Sequence, residues 1–365
     1  MPNRTDAFEP DLSRARTLRS DWYHDPALYE REKRCVFARS WQMVGRGNQV
    51  RLPGEYFTCS VADEDLVVTR AGSLRALSAV CRHRGGPVAR GFGQRKALQC
   101  GYHGWTYALD GQLLAAPEFE GVEGFDVSRV CLPSFRVDEW GGFVFVNLST
   151  DGPGLAAVLG AIPAETRRLP LDRLSLYKRV DYEVACNWKT YVDNFLEAYH
   201  IPQVHPGLLK ELDFSGYRVE TYDGYSRQRA PLRPRSQDAL FGRSVSDGAP
   251  AEVLYYWVFP NLMFSVYPDN LQVNVVQPLG PERTQTRLEW YVIDPTRVGV
   301  AQEFERSFAF AEQVQREDIA ICEAVQRGLR SRTYSSGRYS AQRETGVHHF
   351  HALLARSMEA AGAGA

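Results

Sequence analysis

Between about Trp41 and Leu148 apolar and polar positions alternate in short runs, among them Asp65-Leu-Val-Val-Thr-Arg70 and Gly141-Gly-Phe-Val-Phe-Val-Asn147, separated by Gly, Pro and Asp. Runs of that length and punctuation predict β-strands joined by tight turns, hence an all-β domain. After Asp151-Gly-Pro-Gly154 the texture changes. Helical signals span Leu155–Leu169 and Asn187–Ile201, and strand-like segments follow at Val253–Val258, Met263–Val266, Leu271–Val276 and Thr286–Ile293. A long helix is predicted from about Ala301 to Arg330. The second part therefore reads as α+β, an antiparallel sheet covered by helices. We place the all-β domain at residues 40–150 and the α+β domain at 1–39 with 151–365. Arg227–Pro250, rich in Arg, Ser, Pro and Gly, reads as a mobile surface loop, and Ala360–Ala365 as a frayed end.

A chain of 365 residues is long enough for two such domains. Its 43 basic and 44 acidic residues leave a net charge of −1, with no basic block or acidic tail, so nucleic acid is not an expected partner. The start, Met1 to Asp21, is polar and Arg-rich, and no stretch approaches the roughly 18 apolar residues of a membrane span. A cytoplasmic protein without a membrane partner is expected. Seven scattered cysteines, an odd number, do not make a secreted disulfide framework. Cys35, Cys59, Cys131, Cys186 and Cys322 read as buried structural thiols. Cys81 and Cys100 stand apart.

Cys81-Arg-His83 is followed, after sixteen intervening residues, by Cys100-Gly-Tyr-His103-Gly-Trp105. Two thiolates and two imidazoles on neighbouring turns form a four-ligand set that suits zinc or a [2Fe–2S] cluster. A zinc finger pairs Cys with Cys and His with His, whereas here each turn carries one of each. That order suits a two-iron cluster with cysteines on one iron and histidines on the other. Gly85, Gly86, Gly101 and Gly104 would allow tight turns, and Tyr102 and Trp105 would shield the cluster. Histidine ligation places the potential at about −150 to +300 mV, against about −400 mV for all-cysteine plant-type ferredoxins. Such a centre relays electrons, and something else must consume them.

Further on, Asn187-Trp-Lys-Thr-Tyr-Val-Asp-Asn194-Phe-Leu-Glu197-Ala-Tyr-His200 has helical character up to Ile201, where Pro202 disfavours continuation. Asn194, Glu197 and His200 are spaced by three and would share a helix face, and His205 lies beyond the break. Two histidines and a carboxylate are the protein ligands of the facial triad, which leaves positions on Fe(II) open. The carboxylate candidate is Asp318, the only charge on a stripe of Ala311, Val314, Asp318, Ile321, Cys322, Val325 and Leu329 in the long helix. A carboxylate on an apolar face is costly unless paired or metal-bound. Glu317 lies toward the edge of that stripe and Glu323 off it.

These motifs resemble the Rieske non-haem iron oxygenases, over nearly the whole chain. Cys-x-His with Cys-x₂-His is similar to the Rieske motif, and Asn-Trp-Lys, Asp-Asn and acid-x-x-His-x₄-His are similar to the catalytic motif of the family's α subunits. The resemblance implies Cys81, His83, Cys100 and His103 as cluster ligands and His200, His205 and Asp318 as iron ligands. It implies Glu197, beside Asn194, as a carboxylate linking a cluster histidine of one subunit to His200 of its neighbour in a homotrimer. Electrons would come from NAD(P)H through a separate flavin or iron–sulfur reductase or a ferredoxin, and O₂ would be used on a small organic substrate. No Gly-x-Gly-x-x-Gly stands after a strand here. Ring-hydroxylating dioxygenases usually carry Asp at the bridging position. Glu197, one residue nearer the preceding Asn, resembles members acting on carnitine, choline and betaines, along with Cys322-Glu-Ala-Val-Gln-Arg-Gly-Leu329 and Phe259-Pro-Asn-Leu-Met263. The alternatives are an aromatic-ring or aromatic-acid oxygenase, a Rieske electron-transfer protein, or a structural zinc module.

Two features bear on substrate. Tyr255, Tyr256, Trp257, Phe264 and Tyr267 would either cage a trimethylammonium group or pack as ordinary core. Arg227, Arg229, Arg233 and Arg235 would either grip a carboxylate or stand solvated on a loop.

Overall fold

The structure, a computed structural model, describes residues 8–233, 252–267, 270–296 and 298–360. The chain forms two compact units, Lys33–Leu155 and a second that joins the segment up to Glu32 with everything from Ala156 on.

The first unit is all-β. Seven of its strands form one sheet in the order Gln42–Arg46, Phe143–Asn147, Ser134–Trp140, Ser73–Ser78, Glu64–Ala71, Glu55–Val61 and Phe92–Gln94. Leu66, Val68, Ala76, Val144 and Val146 pack on one side and Tyr56, Val67 and Leu77 on the other. This is the result expected of short apolar runs wanted on both faces. Leu98–Gln99, Thr106–Tyr107 and Leu113–Ala115 form a small second sheet, and the turn that joins its first two strands carries Cys100 and His103.

In the second unit β1 (Ser175–Val184), β2 (Arg218–Thr221), β3 (Tyr225–Pro231), β4 (Glu252–Val258), β5 (Leu262–Val266), β6 (Asn270–Gly280) and β7 (Arg283–Val292) make an antiparallel sheet in the order β1-β7-β6-β5-β4-β3-β2. The longer helices are α1 (Pro26–Cys35), α2 (Trp188–Phe195), α3 (Val300–Leu329) and α4 (Thr345–Ala360). The α+β expectation holds. No helix among the described residues is long and apolar enough to cross a membrane.

The Asn-Trp-Lys motif anchors α2. Asn187 Oδ1 caps the helix by accepting from Lys189 N at 2.9 Å, and Asn187 Nδ2 donates to the Pro281 carbonyl at 2.6 Å. Trp188 Nε1 and Lys189 Nζ both donate to Glu32 of α1, at 2.7 and 2.5 Å, and Lys189 and Glu32 are fully buried. Burial pushes the Lys189 amine down, while Glu32 opposes that shift. Lys189→Met strands Glu32 without its cation, so we expect a loss of about 3–5 kcal/mol of stability, read as a lower urea midpoint.

Four expectations need correction. The helix from Leu155 to Leu169 is two short helices, Leu155–Leu159 and Ile162–Glu165, broken where Gly160 takes a φ of +52°. The Arg227–Pro250 loop begins as strand β3: Ser226, Gln228 and Ala230 are buried on one face while Arg227 and Arg229 lie on the other. Residues 234–250 of that stretch lie outside the described residues, as do residues 361–365 of the frayed end. On α3 Val325 is exposed, and the buried stripe keeps Cys322 and Leu329 and adds Gln315 and Gln326. Among the cysteines read as buried, Cys131 is exposed and Cys59 only half-buried.

Candidate metal centres

The two Cys/His turns are built alike. Cys81 N donates to Gly86 O at 2.8 Å and Gly85 N to Cys81 O at 3.0 Å; Cys100 N donates to Trp105 O at 2.9 Å and Gly104 N to Cys100 O at 3.1 Å. Gly85 and Gly104 hold the left-handed backbone these turns need, with φ of +71° and +75°. A Cβ at Gly86 would come within 2.9 Å of Cys100 Sγ, so only glycine leaves that sulfur room. Cys81 and Cys100 are buried, His83 is half-buried and His103 exposed. The set therefore runs from sulfur donors inside to an imidazole at the surface. The His83 and His103 rings lie 4.7 Å apart, and His83 stacks on Trp105 at 5.0 Å with 8° between the planes. His83 Nδ1 is buried with no hydrogen-bond partner among the described residues. Burial, His103 and Arg84 hold this imidazole below the usual histidine range, the neutral form a metal needs. An orphaned imidazole nitrogen beside buried thiols fits an iron–sulfur cluster. Sequence reasoning missed Tyr107, whose hydroxyl accepts from Arg82 N at 3.0 Å and lies in hydrogen-bond contact with Cys81 Sγ at 3.2 Å. Its signal was the two-residue spacing from Trp105 along a strand.

The second set lies in the other unit. Helix α2 ends at Phe195, so Asn194, Glu197 and His200 do not share one helix face as expected. The cause is Glu197, whose Oε2 takes the amides of Tyr199 and of His200, the latter at 3.1 Å, and so replaces the carbonyls that would continue the helix. Glu197 Oε1 also meets His200 Nδ1 at 2.5 Å. His205, 1 % exposed, sits between the short helices Ile201–Val204 and Pro206–Glu211. Its Nε2 lies 2.9 Å from Asp318 Oδ1 and its Nδ1 2.6 Å from Glu317 Oε2, while His200 Nε2 lies 3.7 Å from Asp318 Oδ1. One donor atom from each of His200, His205 and Asp318 falls within 4.8 Å of the others. Burial opposes the charge on His205, but its hydrogen bonds to the Asp318 and Glu317 carboxylates outweigh it and hold this imidazole above the usual range. Each imidazole thus has one nitrogen turned to Asp318 and the other held by a separate glutamate. Two nitrogens and one carboxylate suit a divalent metal with open positions. Glu317, weighed in the sequence as a rival to Asp318, stands behind His205.

These donors open into a cavity of about 160 Å³. Asn194, Glu197, His200, His205 and Asp318 line it, as do Tyr255, Tyr267 and, unforeseen, Tyr191, Tyr217, Gln228 and Gln315. Trp257 and Phe264 do not. Phe264 stacks on Tyr256 at 5.0 Å on the opposite face of β4 and β5, and Trp257 packs on Phe350 of α4 at 5.3 Å. The pleat explains Phe264, which lies one residue from the inward Ser265 and so points the other way; Trp257, two residues on from Tyr255, shares its face but lies farther along the strand, against Phe350. Arg227 is engaged by Glu165 at 2.5 Å and Glu220 at 2.6 Å, and Arg229 by Glu252 at 2.8 Å. Arg233 Nε donates to the Leu212 carbonyl at 2.8 Å, and Arg235 lies outside the described residues.

The sequence matches the Rieske [2Fe-2S] domain over residues 40–129 and the Ring hydroxylating alpha subunit (catalytic domain) over 171–360. It is 35% identical to the chloroplastic choline monooxygenase of Arabidopsis thaliana over 96% of this chain and 86% of that protein. It is 32% identical to the oxygenase subunit of carnitine monooxygenase from Acinetobacter pittii (strain PHEA-2), over 95% of each. The solved structure of a quaternary ammonium Rieske monooxygenase superposes with a TM-score of 0.85 at 28% identity, covering 96% of this chain and 98% of that one. The family's cofactors are a Rieske [2Fe–2S] cluster and a mononuclear iron, and its electrons come from a reductase. The chain is thus the α subunit of a Rieske non-haem iron oxygenase, in the branch that holds the choline and carnitine monooxygenases.

Proposed function

We propose that this oxygenase hydroxylates a small quaternary ammonium compound. The observation that carries the reading is the make-up of the cavity. Tyr217, Tyr255 and Tyr267 share it with the carboxylates Glu197 and Asp318, and no lysine or arginine lines it among the described residues. Burial holds the Tyr217 and Tyr267 phenols well above their ordinary values, so their rings stay neutral and offer π faces to a cation. This cage differs from the one expected from sequence, with Tyr217 in place of Trp257 and Phe264. Similarity to choline and carnitine monooxygenases supports the same class.

In this reading Cys81, His83, Cys100 and His103 hold the cluster, and His200, His205 and Asp318 hold the iron. When bound, the cluster supplies single electrons and the ferrous centre supplies O₂ activation. Glu197 keeps His200 turned so that Nε2 faces Asp318, and links it to a cluster histidine of a neighbouring subunit in a cytoplasmic homotrimer. Glu317 does the same orienting work for His205. The tyrosines fix the cation, and the aromatic wall keeps water from it. Hydroxylation of a carbon next to the nitrogen uses one O₂, two electrons from NAD(P)H through the reductase and two protons, and releases water. The resulting carbinolamine then breaks its C–N bond, the nitrogen keeping the pair, to give a tertiary amine, a carbonyl compound and a proton.

Turnover with a suitable reductase against choline, carnitine, betaines and aromatic acids tests this. Amine and carbonyl formed in step with NAD(P)H consumption is the expected result; a diol or phenol from an aromatic acid, with every cation untouched, would refute it. For Glu317→Gln we expect iron to leave to a chelator with an affinity about 10–100-fold weaker, the cluster spectrum being unchanged. Iron retention equal to wild type would show that Glu317 does not hold His205 in place.

A further inference from the structure

Four polar side chains around the cavity are joined in one direction. Thr286 Oγ1 donates to Asn274 Oδ1, Asn274 Nδ2 donates to Tyr191 Oη at 3.0 Å, and Tyr191 Oη donates to Gln315 Oε1 at 2.8 Å. Because Tyr191 accepts from Asn274, its own hydrogen is the one offered to Gln315. With the amides set this way the tyrosine hydrogen has Gln315 Oε1 as its acceptor. The chain therefore satisfies Gln315 Oε1 and leaves Nε2 over. Nε2 is buried with no hydrogen-bond partner among the described residues, in a side chain only 5 % exposed that lines the cavity. Gln315 stands three residues before Asp318 on α3, on the same side of that helix. Native interiors rarely leave such a donor unmet, and a bound group is one of the few things that accounts for it.

We propose that Gln315 Nε2 donates a hydrogen bond to an oxygen of the substrate, so that the cavity selects a quaternary ammonium ion carrying a hydroxyl or carboxylate acceptor. The inference rests on the cation reading above and adds a second point of attachment to it. The tyrosine faces hold the charged end and the amide reads the other. An amide N–H serves a neutral hydroxyl and a carboxylate alike, so the oxygen's source is left to measurement.

Calorimetric binding to the anaerobic holoenzyme compares choline, which bears a hydroxyl, carnitine, which bears a carboxylate, and n-propyltrimethylammonium, which has no oxygen. Wild type is expected to bind at least one oxygen-bearing cation about tenfold more tightly than the oxygen-free one. Whichever of the two shows that preference identifies the oxygen. Gln315→Met, close in volume but without the amide, is expected to reduce the preference to within about threefold, while the affinity for n-propyltrimethylammonium changes less than about threefold. Wild type binding all three equally would overturn the Gln315 assignment and leave the cation reading standing, and this arm needs no folded variant. A preference undiminished in Gln315→Met would overturn it too, with Nε2 then serving an enclosed water only. If no cation binds wild type, the cation reading fails and takes this inference with it.

Discussion

Asp318→Ala is expected to purify with a full Rieske spectrum and without mononuclear iron, and to show turnover lower by a factor on the order of 10³ or more. The argument is geometric. Asp318 Oδ1 is the carboxylate atom that faces both imidazoles, 2.9 Å from His205 Nε2 and 3.7 Å from His200 Nε2. Without it two neutral nitrogens remain, too few to fix a ferrous ion against water. Nothing in the first unit changes, since the Cys81 and Cys100 turns hold themselves by their own backbone hydrogen bonds. Iron and sulfide per chain, with the visible spectrum, check this. Asp318→Ala with its iron intact, beside Glu317→Ala depleted, would exchange the two roles.

Glu197→Gln is the second large effect, and its signature is opposite. Both irons should remain, because His200 keeps its Nε2 and an amide oxygen can still accept from the Tyr199 and His200 amides. The negative charge beside His200 Nδ1 is lost. In the proposed trimer the same charge orients a cluster histidine of the neighbouring subunit. We expect cluster oxidation in the presence of substrate and O₂ to slow by about 10–100-fold, with iron content near wild type. Glu197→Asp should recover part of the rate, its charge intact and its reach one methylene shorter. Iron loss in Glu197→Gln would make Glu197 a ligand, and unchanged cluster oxidation would remove the bridging role.

Much of this was legible in the chain because the chemistry lies in short, fixed spacings. Paired Cys and His with glycine at the turns, and two histidines five apart with a carboxylate on a distant apolar stripe, are patterns that few core-building needs produce. What the sequence did not disclose follows from tertiary context. Strand β3 was read as loop because its inward residues are Ser226 and Gln228, and polar residues on a buried face erase the alternation that marks a strand. Gln228 is inward because Tyr217 donates to its Oε1 and it donates to the Phe195 carbonyl, partners far apart in sequence. Phe264 leaves the cage because period two along β5 turns it away from the inward Ser265, and Trp257 leaves it because, on the same face as Tyr255, it packs on Phe350 of α4. Gln315 carries no sequence signal and Glu317 stands only at the edge of an apolar stripe, because the polar partners that give them meaning, Tyr191 and His205, come from elsewhere in the chain.

The central claim, that the cavity above His200, His205 and Asp318 oxidises a quaternary ammonium ion with electrons stored in the same protein, is met most directly by a single turnover. Wild-type protein, reduced without oxygen and freed of reductant, is mixed with O₂ and choline, with O₂ and carnitine, or with O₂ alone, and cluster colour and products are followed together. The account predicts that at least one cation speeds cluster oxidation and yields oxidised product in proportion to the electrons the cluster gives up. Cluster oxidation at the same rate with and without either cation, and with neither oxidised, would contradict it.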